Sequence, residues 1–99
     1  MTQVTNENNV GEVLRLLRIA YDLSISDLSE KTKISKSYIT EIEKGKKKPS
    51  EKIIKNYSLG LNIPENVLNY LITNYSKTHL DYHNLLLEIL KRIVSMNKK

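Results

Sequence analysis

At 99 residues the chain has room for one small domain, and with 39% apolar and 27% charged residues its composition is that of a folded protein rather than a disordered one. It contains no Cys, which excludes disulfide scaffolds, thiolate zinc sites and cysteine nucleophiles and makes a reducing cytoplasm the default compartment. The net charge of +5 is unevenly placed: nine Lys and three Glu lie between Lys31 and Lys55, a local +6, so the rest of the chain sums to −1.

Gly and Pro are scarce and apolar residues recur at intervals of three and four, so the chain reads as all-helical. The polar stretch Met1 to Asn9 reads as an N-terminal arm and not as a signal peptide. Asn9 followed by Glu12 resembles a capping box. Val10, Val13, Leu14, Leu17 and Tyr21 then hold one stripe, predicting a first helix over about 10–21. Two short helices follow by one device. Leu23-Ser24 precedes Leu28, and Ile34-Ser35 precedes Ile39, each pairing an N-cap serine with a hydrophobic staple. The spacing predicts helices over 25–32 and 36–44, crossing steeply because so few residues join them. Gly45 ends the latter in a left-handed conformation.

Lys46 to Pro49 is a basic loop, and Ser50 caps a fourth helix carrying Ile53, Ile54 and Tyr57, with Leu61 near its end and Asn62 as its stop. Pro64 is expected in the first turn of a fifth helix bearing Val67, Leu68, Leu71, Ile72 and Tyr75. Thr78 with Asp81 marks a last helix running to about Met96. No apolar run approaches the ~20 residues a membrane-spanning helix needs. The expected organisation is therefore an arm (1–9), a five-helix domain (10–76) and a C-terminal helix (77–99).

The residues from Leu17 to Leu61 resemble the Cro/phage-repressor type, Xre-like helix-turn-helix family. The resemblance runs through Leu17-Arg18, Leu23-Ser24, Leu28-Ser29-Glu30-Lys31 and Ile34-Ser35-Lys36-Ser37-Tyr38-Ile39. It continues through Ile42-Glu43-Lys44-Gly45-Lys46 and Pro49-Ser50, covering roughly half the chain with loop lengths intact. It implies an all-α, repressor-like helix-turn-helix domain that binds double-stranded DNA and regulates transcription, with 36–44 as the recognition helix.

Helical geometry agrees. At 100° per residue, positions 36, 37, 40, 41 and 44 share an arc of roughly 140°, with Ile39 and Ile42 on the other side. The resemblance then implies base reading by Lys36, Ser37 and Glu41, with Thr40 placed to meet a base or a phosphate. Lys36 suits guanine O6 and N7, and Glu41 suits cytosine N4. The alternative for Glu41 is an outward charge paired with a neighbouring Lys. Lys33, Tyr38, Lys44, Lys46, Lys47 and Lys48 are the candidates for phosphate contact, and for Tyr38 a place covering the core edge weighs equally. Arg18 and Glu43 match an internal ion pair of the family. Two positions depart from the pattern: Ile25 stands where Gln often braces the DNA backbone, and Lys33 stands where the turn often has Gly.

The apolar residues of the last helix cover an arc of roughly 220°, far wider than the ~100° needed to pack on one surface. Leu80, Leu86, Leu87, Ile89, Leu90, Ile93 and Val94 are accordingly expected at a homodimer interface, which would present two recognition helices to a pseudo-palindrome. The other reading is an antitoxin-like or other interaction module whose last helix binds a different protein. His79 and His83 have a zinc-compatible spacing but no third ligand, so no metal is expected. Nor is a cofactor, a small-molecule ligand or an enzymatic activity, since no acid/base pair, activated nucleophile or phosphate loop is present.

Overall fold

The computed structural model describes residues 9–75 and 83–97, and among them the backbone is helical with no strand. In chain order the helices are α1 (Asn9–Ala20), α2 (Ile25–Thr32), α3 (Lys36–Glu43), α4 (Glu51–Leu61), α5 (Glu65–Tyr75) and α6 (His83–Asn97). The all-helical class and the repressor-like helix order match the expectation. No helix among the described residues is long and apolar enough to cross a membrane. The expected Thr78 cap, Leu80 and the His79/His83 pair of side chains lie outside what is described.

Each serine expected to cap a helix does so. Ser24 accepts the Asp27 amide at 3.0 Å while the Ser24 amide donates to the Asp27 carboxylate at 3.2 Å, a reciprocal box at the start of α2. These hydrogen bonds to Ser24 hold the Asp27 carboxyl below the usual range. Ser35 accepts from the Tyr38 amide at 3.1 Å and Ser50 from the Ile53 amide at 3.3 Å. Several boundaries differ from expectation by a residue or so, and Asn9, expected to cap the first helix, is instead the first residue of α1. α1 ends at Ala20, since Asp22 turns left-handed with φ 60°. α3 ends at Glu43 with Lys44 as its C-cap. Pro64 precedes α5 instead of sitting in its first turn, and its carbonyl accepts from the Val67 and Leu68 amides.

The α2–α3 and α4–α5 connections are built alike. Lys33 and Asn62 both close their helices with positive φ, 63° and 59°. At the same offset before each, Ser29 donates its hydroxyl to the Ile34 carbonyl and Ser58 to the Ile63 carbonyl, both at 2.5 Å. Thr32 adds a link, donating to the Leu28 carbonyl at 2.7 Å and accepting from the Ile34 amide at 3.3 Å. The polar groups freed where the chain turns are thus satisfied locally. A lysine in the left-handed region carries a steric cost that glycine does not. Lys33→Gly is therefore expected to raise the denaturation midpoint by an amount equivalent to about 1 kcal/mol or less, the relief being partly offset by glycine's greater freedom when unfolded. An unchanged or lowered midpoint in urea titration would rule out strain at this turn.

α1 is the hub of the core. Val13, Leu14, Leu16 and Leu17 are all buried, and the helix packs on α3, α5 and α6 at once. α2 packs on α3 and α4, and α4 on α5. Leu28, Ile34, Ile39, Ile42, Tyr57, Leu61, Ile63, Leu68 and Leu71 complete the interior, to which α6 adds Leu90 and Val94. Tyr21 ties the end of α1 to the end of α4 through a 2.7 Å hydrogen bond to the Leu61 carbonyl. Two glycines permit close approach of backbones. A Cβ on Gly11 would fall on the Ile42 carbonyl oxygen, and one on Gly60 would meet the Lys31 carbonyl oxygen at 2.7 Å.

The placement of Leu90 and Val94 corrects the expected interface. Both are buried against this chain's own core, so neither is available to a second copy. A helix docking on the hub helix needs an inward stripe of its own, and these two residues supply it. Leu87 also packs against the core and is only partly buried. Among the described residues, Glu88, Lys91, Arg92, Ser95 and Met96 are the exposed ones on α6. The side chains of Leu86, Ile89 and Ile93 lie outside the description.

Candidate nucleic-acid interface

The α3 helix is held from beneath and free above. Ile39 and Ile42 are fully buried, fixing the rotation of the helix about its axis. Lys36 and Ser37 are then exposed at its N-terminal end, with Thr40 and Glu41 half-buried along the same side. Lys33 is exposed just before the helix and Lys44 just after it. All the residues expected to read bases therefore share one face, as the 100° rotation per residue requires.

The loop after α3 continues this surface through a defined termination. Gly45 has φ 79°, its amide donates to the Ile42 carbonyl at 3.0 Å, and the Lys46 amide reaches back to the Glu41 carbonyl at 2.8 Å. The Lys47 amide also points to the Glu41 carbonyl, at 3.2 Å. Three successive lysines are in this way brought to the end of α3, and Lys46, Lys47 and Lys48 are all exposed. Lys47 does not extend away from the helix. Its ammonium lies 3.9 Å from the Glu41 carboxylate and 5.8 Å from the centre of the Tyr38 ring. Tyr38 is half-buried, so its ring both borders the core and supports this lysine.

Beneath α3 the expected ion pair is present and is two-pronged. Arg18 donates from Nε to Glu43 Oε2 at 2.8 Å and from Nη2 to Oε1 at 3.0 Å. Its Nη1 donates to the Leu23 carbonyl at 2.9 Å. The side chains are 16% and 7% exposed, so this is a largely buried pair joining α1 to the end of α3. The hydrogen bond to Glu43 raises the Arg18 pKa above its ordinary value, against desolvation. Tyr57 lies near enough for both charges to act on it. Burial first, then the Glu43 carboxylate, push its hydroxyl up, while Arg18 pulls the other way. That hydroxyl has no hydrogen-bond partner among the described residues.

Sequence reasoning overlooked four residues that position this interface. Gly11 brings the start of α1 onto the end of α3, and Gly60 brings α4 onto α2. Ser29 and Thr32 lock the turn between α2 and α3. The glycines carried a signal: each interrupts an otherwise helical pattern, where its cost of roughly 1 kcal/mol relative to alanine calls for a packing reason. On α4, Lys52 and Lys55 are also exposed and extend the basic segment past the loop.

Comparison with known proteins agrees with this geometry. The profile of a family described as "Helix-turn-helix domain" matches residues 11–77. Two curated relatives are each 32% identical over 59 residues, covering 60% of this chain and 53% of their own length. Both are named transcriptional regulator ClgR, from Mycobacterium tuberculosis strains CDC 1551 / Oshkosh and ATCC 25618 / H37Rv. The chain thus spans about half the length of the curated relatives it matches. No solved structure matches significantly. With the family profile covering all of α2 to α5 and most of α1, the chain belongs to the Xre-like helix-turn-helix family of DNA-binding transcriptional regulators.

Proposed function

We propose that this chain binds a specific double-stranded DNA operator as a homodimer in the cytoplasm and represses transcription by occupying a promoter, without catalysing a reaction. The observation that carries the reading is the split character of α3. Its underside, Ile39 and Ile42, is fully buried, while Lys36, Ser37 and Thr40 face outward between Lys33 and the lysines of the following loop. A short helix so mounted enters the major groove with its N-terminal residues deepest. Lys36, Ser37 and Thr40 read base edges, and Lys33, Lys44, Lys46 and Lys48 neutralise phosphates. The relatives named as transcriptional regulators support a regulatory role.

The dimer reading rests on the apolar width of α6. Leu90 and Val94 are used inside the chain and Leu87 is partly so, and we assign Leu80, Leu86, Ile89, Ile93 and the open side of Leu87 to a second copy on their sequence pattern, beside Met96, which is 79% exposed. Two copies related by a twofold axis would read half-sites about one helical turn apart, roughly 10 base pairs.

Selection from random duplexes with the purified full chain tests both parts. The expected product is a pseudo-palindrome with that spacing, bound by a particle of twice the monomer mass in sedimentation. Lys36→Ala should cost about 1–3 kcal/mol in operator binding and relax one base preference. Recovery of no enriched sequence would sink the DNA reading, and a single half-site bound by a monomer would sink the dimer.

A further inference from the structure

Glu41 stands on the outward face of α3, where a carboxylate has two possible employments: it can accept from a base, or it can act on another side chain. Its surroundings favour the second. Its carboxylate lies 3.9 Å from the Lys47 ammonium, and its backbone carbonyl accepts from the amides of both Lys46 and Lys47. The Tyr38 ring flanks the same ammonium at 5.8 Å from its centre. One turn of helix therefore engages Lys47 through its main chain, a carboxylate and an aromatic face, although Lys47 lies beyond the end of that helix.

We propose that Glu41 is a positioning residue that reads no base: with Tyr38 it holds the Lys47 ammonium at the edge of the recognition helix for one DNA phosphate. The inference rests on the DNA-binding reading above. Its physical content is twofold. A lysine on a free loop must surrender side-chain freedom when it meets phosphate, whereas one already held against α3 has surrendered part of it. An uncovered Glu41 would also repel the approaching backbone, and Lys47 neutralises that charge locally. The two side chains are about half exposed, so the pair contributes little to folding. Its effect is confined to binding.

A double-mutant cycle on the full chain, with duplex selection on the same proteins, tests this. In the native background Lys47→Ala is expected to weaken operator binding about tenfold and to lower the slope of log affinity against log salt by about one. Combined with Glu41→Gln, the same change is expected to cost less than about threefold, because the held geometry and the carboxylate to be neutralised are both gone. Glu41→Gln alone is expected to select the same consensus as the native chain, with an unchanged unfolding midpoint. A consensus altered at one base pair by Glu41→Gln, or additive effects of the two substitutions, would overturn the proposal. Failure of the DNA-binding reading itself is distinguishable, since the native chain would then select no sequence at all.

Discussion

Gly11→Ala is expected to destabilise the fold by about 3 kcal/mol or more, at the upper end of what overpacking costs. Helix propensity alone predicts the opposite sign, since replacing glycine by alanine inside a helix ordinarily stabilises by roughly 1 kcal/mol. The structure reverses the sign because the new methyl would fall on the Ile42 carbonyl oxygen, with the Ile42 carbonyl carbon at 3.1 Å and that of Glu43 at 3.3 Å. These are backbone atoms at the end of α3 and cannot rotate away as a flexible side chain would. Either α1 moves off α3, or α3 shifts and carries its outward face with it. Urea unfolding of the substituted chain measures the effect. A midpoint at or above that of the native chain would show that propensity outweighs the contact. Gly60→Ala is expected to follow in the same direction, since it meets the Lys31 carbonyl oxygen at 2.7 Å and the Thr32 methyl at 2.9 Å.

Replacing Glu43 by Leu is expected to cost about 3–5 kcal/mol, because it leaves the Arg18 guanidinium largely buried without its carboxylate. The Leu23 carbonyl, 2.9 Å from Nη1, remains to Arg18 but cannot neutralise its charge. The informative comparison is the double substitution Arg18→Met with Glu43→Leu. Once both charges are gone, neither has to be desolvated, and most of the lost stability should return. Equal losses for the single and double variants in denaturant titration would mean that the pair matters through shape and not through charge. Tyr57 makes the site sensitive, since it is buried with the pair's charges acting on its hydroxyl.

Much of this arrangement could be read along the chain because the responsible interactions are local. Serine is a preferred cap just ahead of a helical stripe, and Ser24, Ser35 and Ser50 each accept the amide three residues on. The left-handed stops at Gly45 and Asn62 follow equally from residue type. The outward face of α3 also follows from spacing, since burying Ile39 and Ile42 leaves only one way for Lys36, Ser37 and Thr40 to point. The Arg18–Glu43 pair, 25 positions apart, had no such local signal and was expected only through resemblance to the family.

The helix order, the Ser24, Ser35 and Ser50 caps and the polar face of α3 all depend on residues within a turn or two of one another, which is why they could be read along the chain. What those helices press against was set by their packing in three dimensions. That packing assigned Gly11 and Gly60 to backbone contacts, where a one-carbon side chain has no room. It put Leu90 and Val94 of α6 into the chain's own core, although the width of an apolar arc says only that a face must be covered and not by what. It also brought Lys47 back over Glu41 and Tyr38, because the turn at Gly45 reverses the chain at the end of α3. Local spacing sets which way a side chain leaves its helix, and the packing of distant segments sets what it meets there.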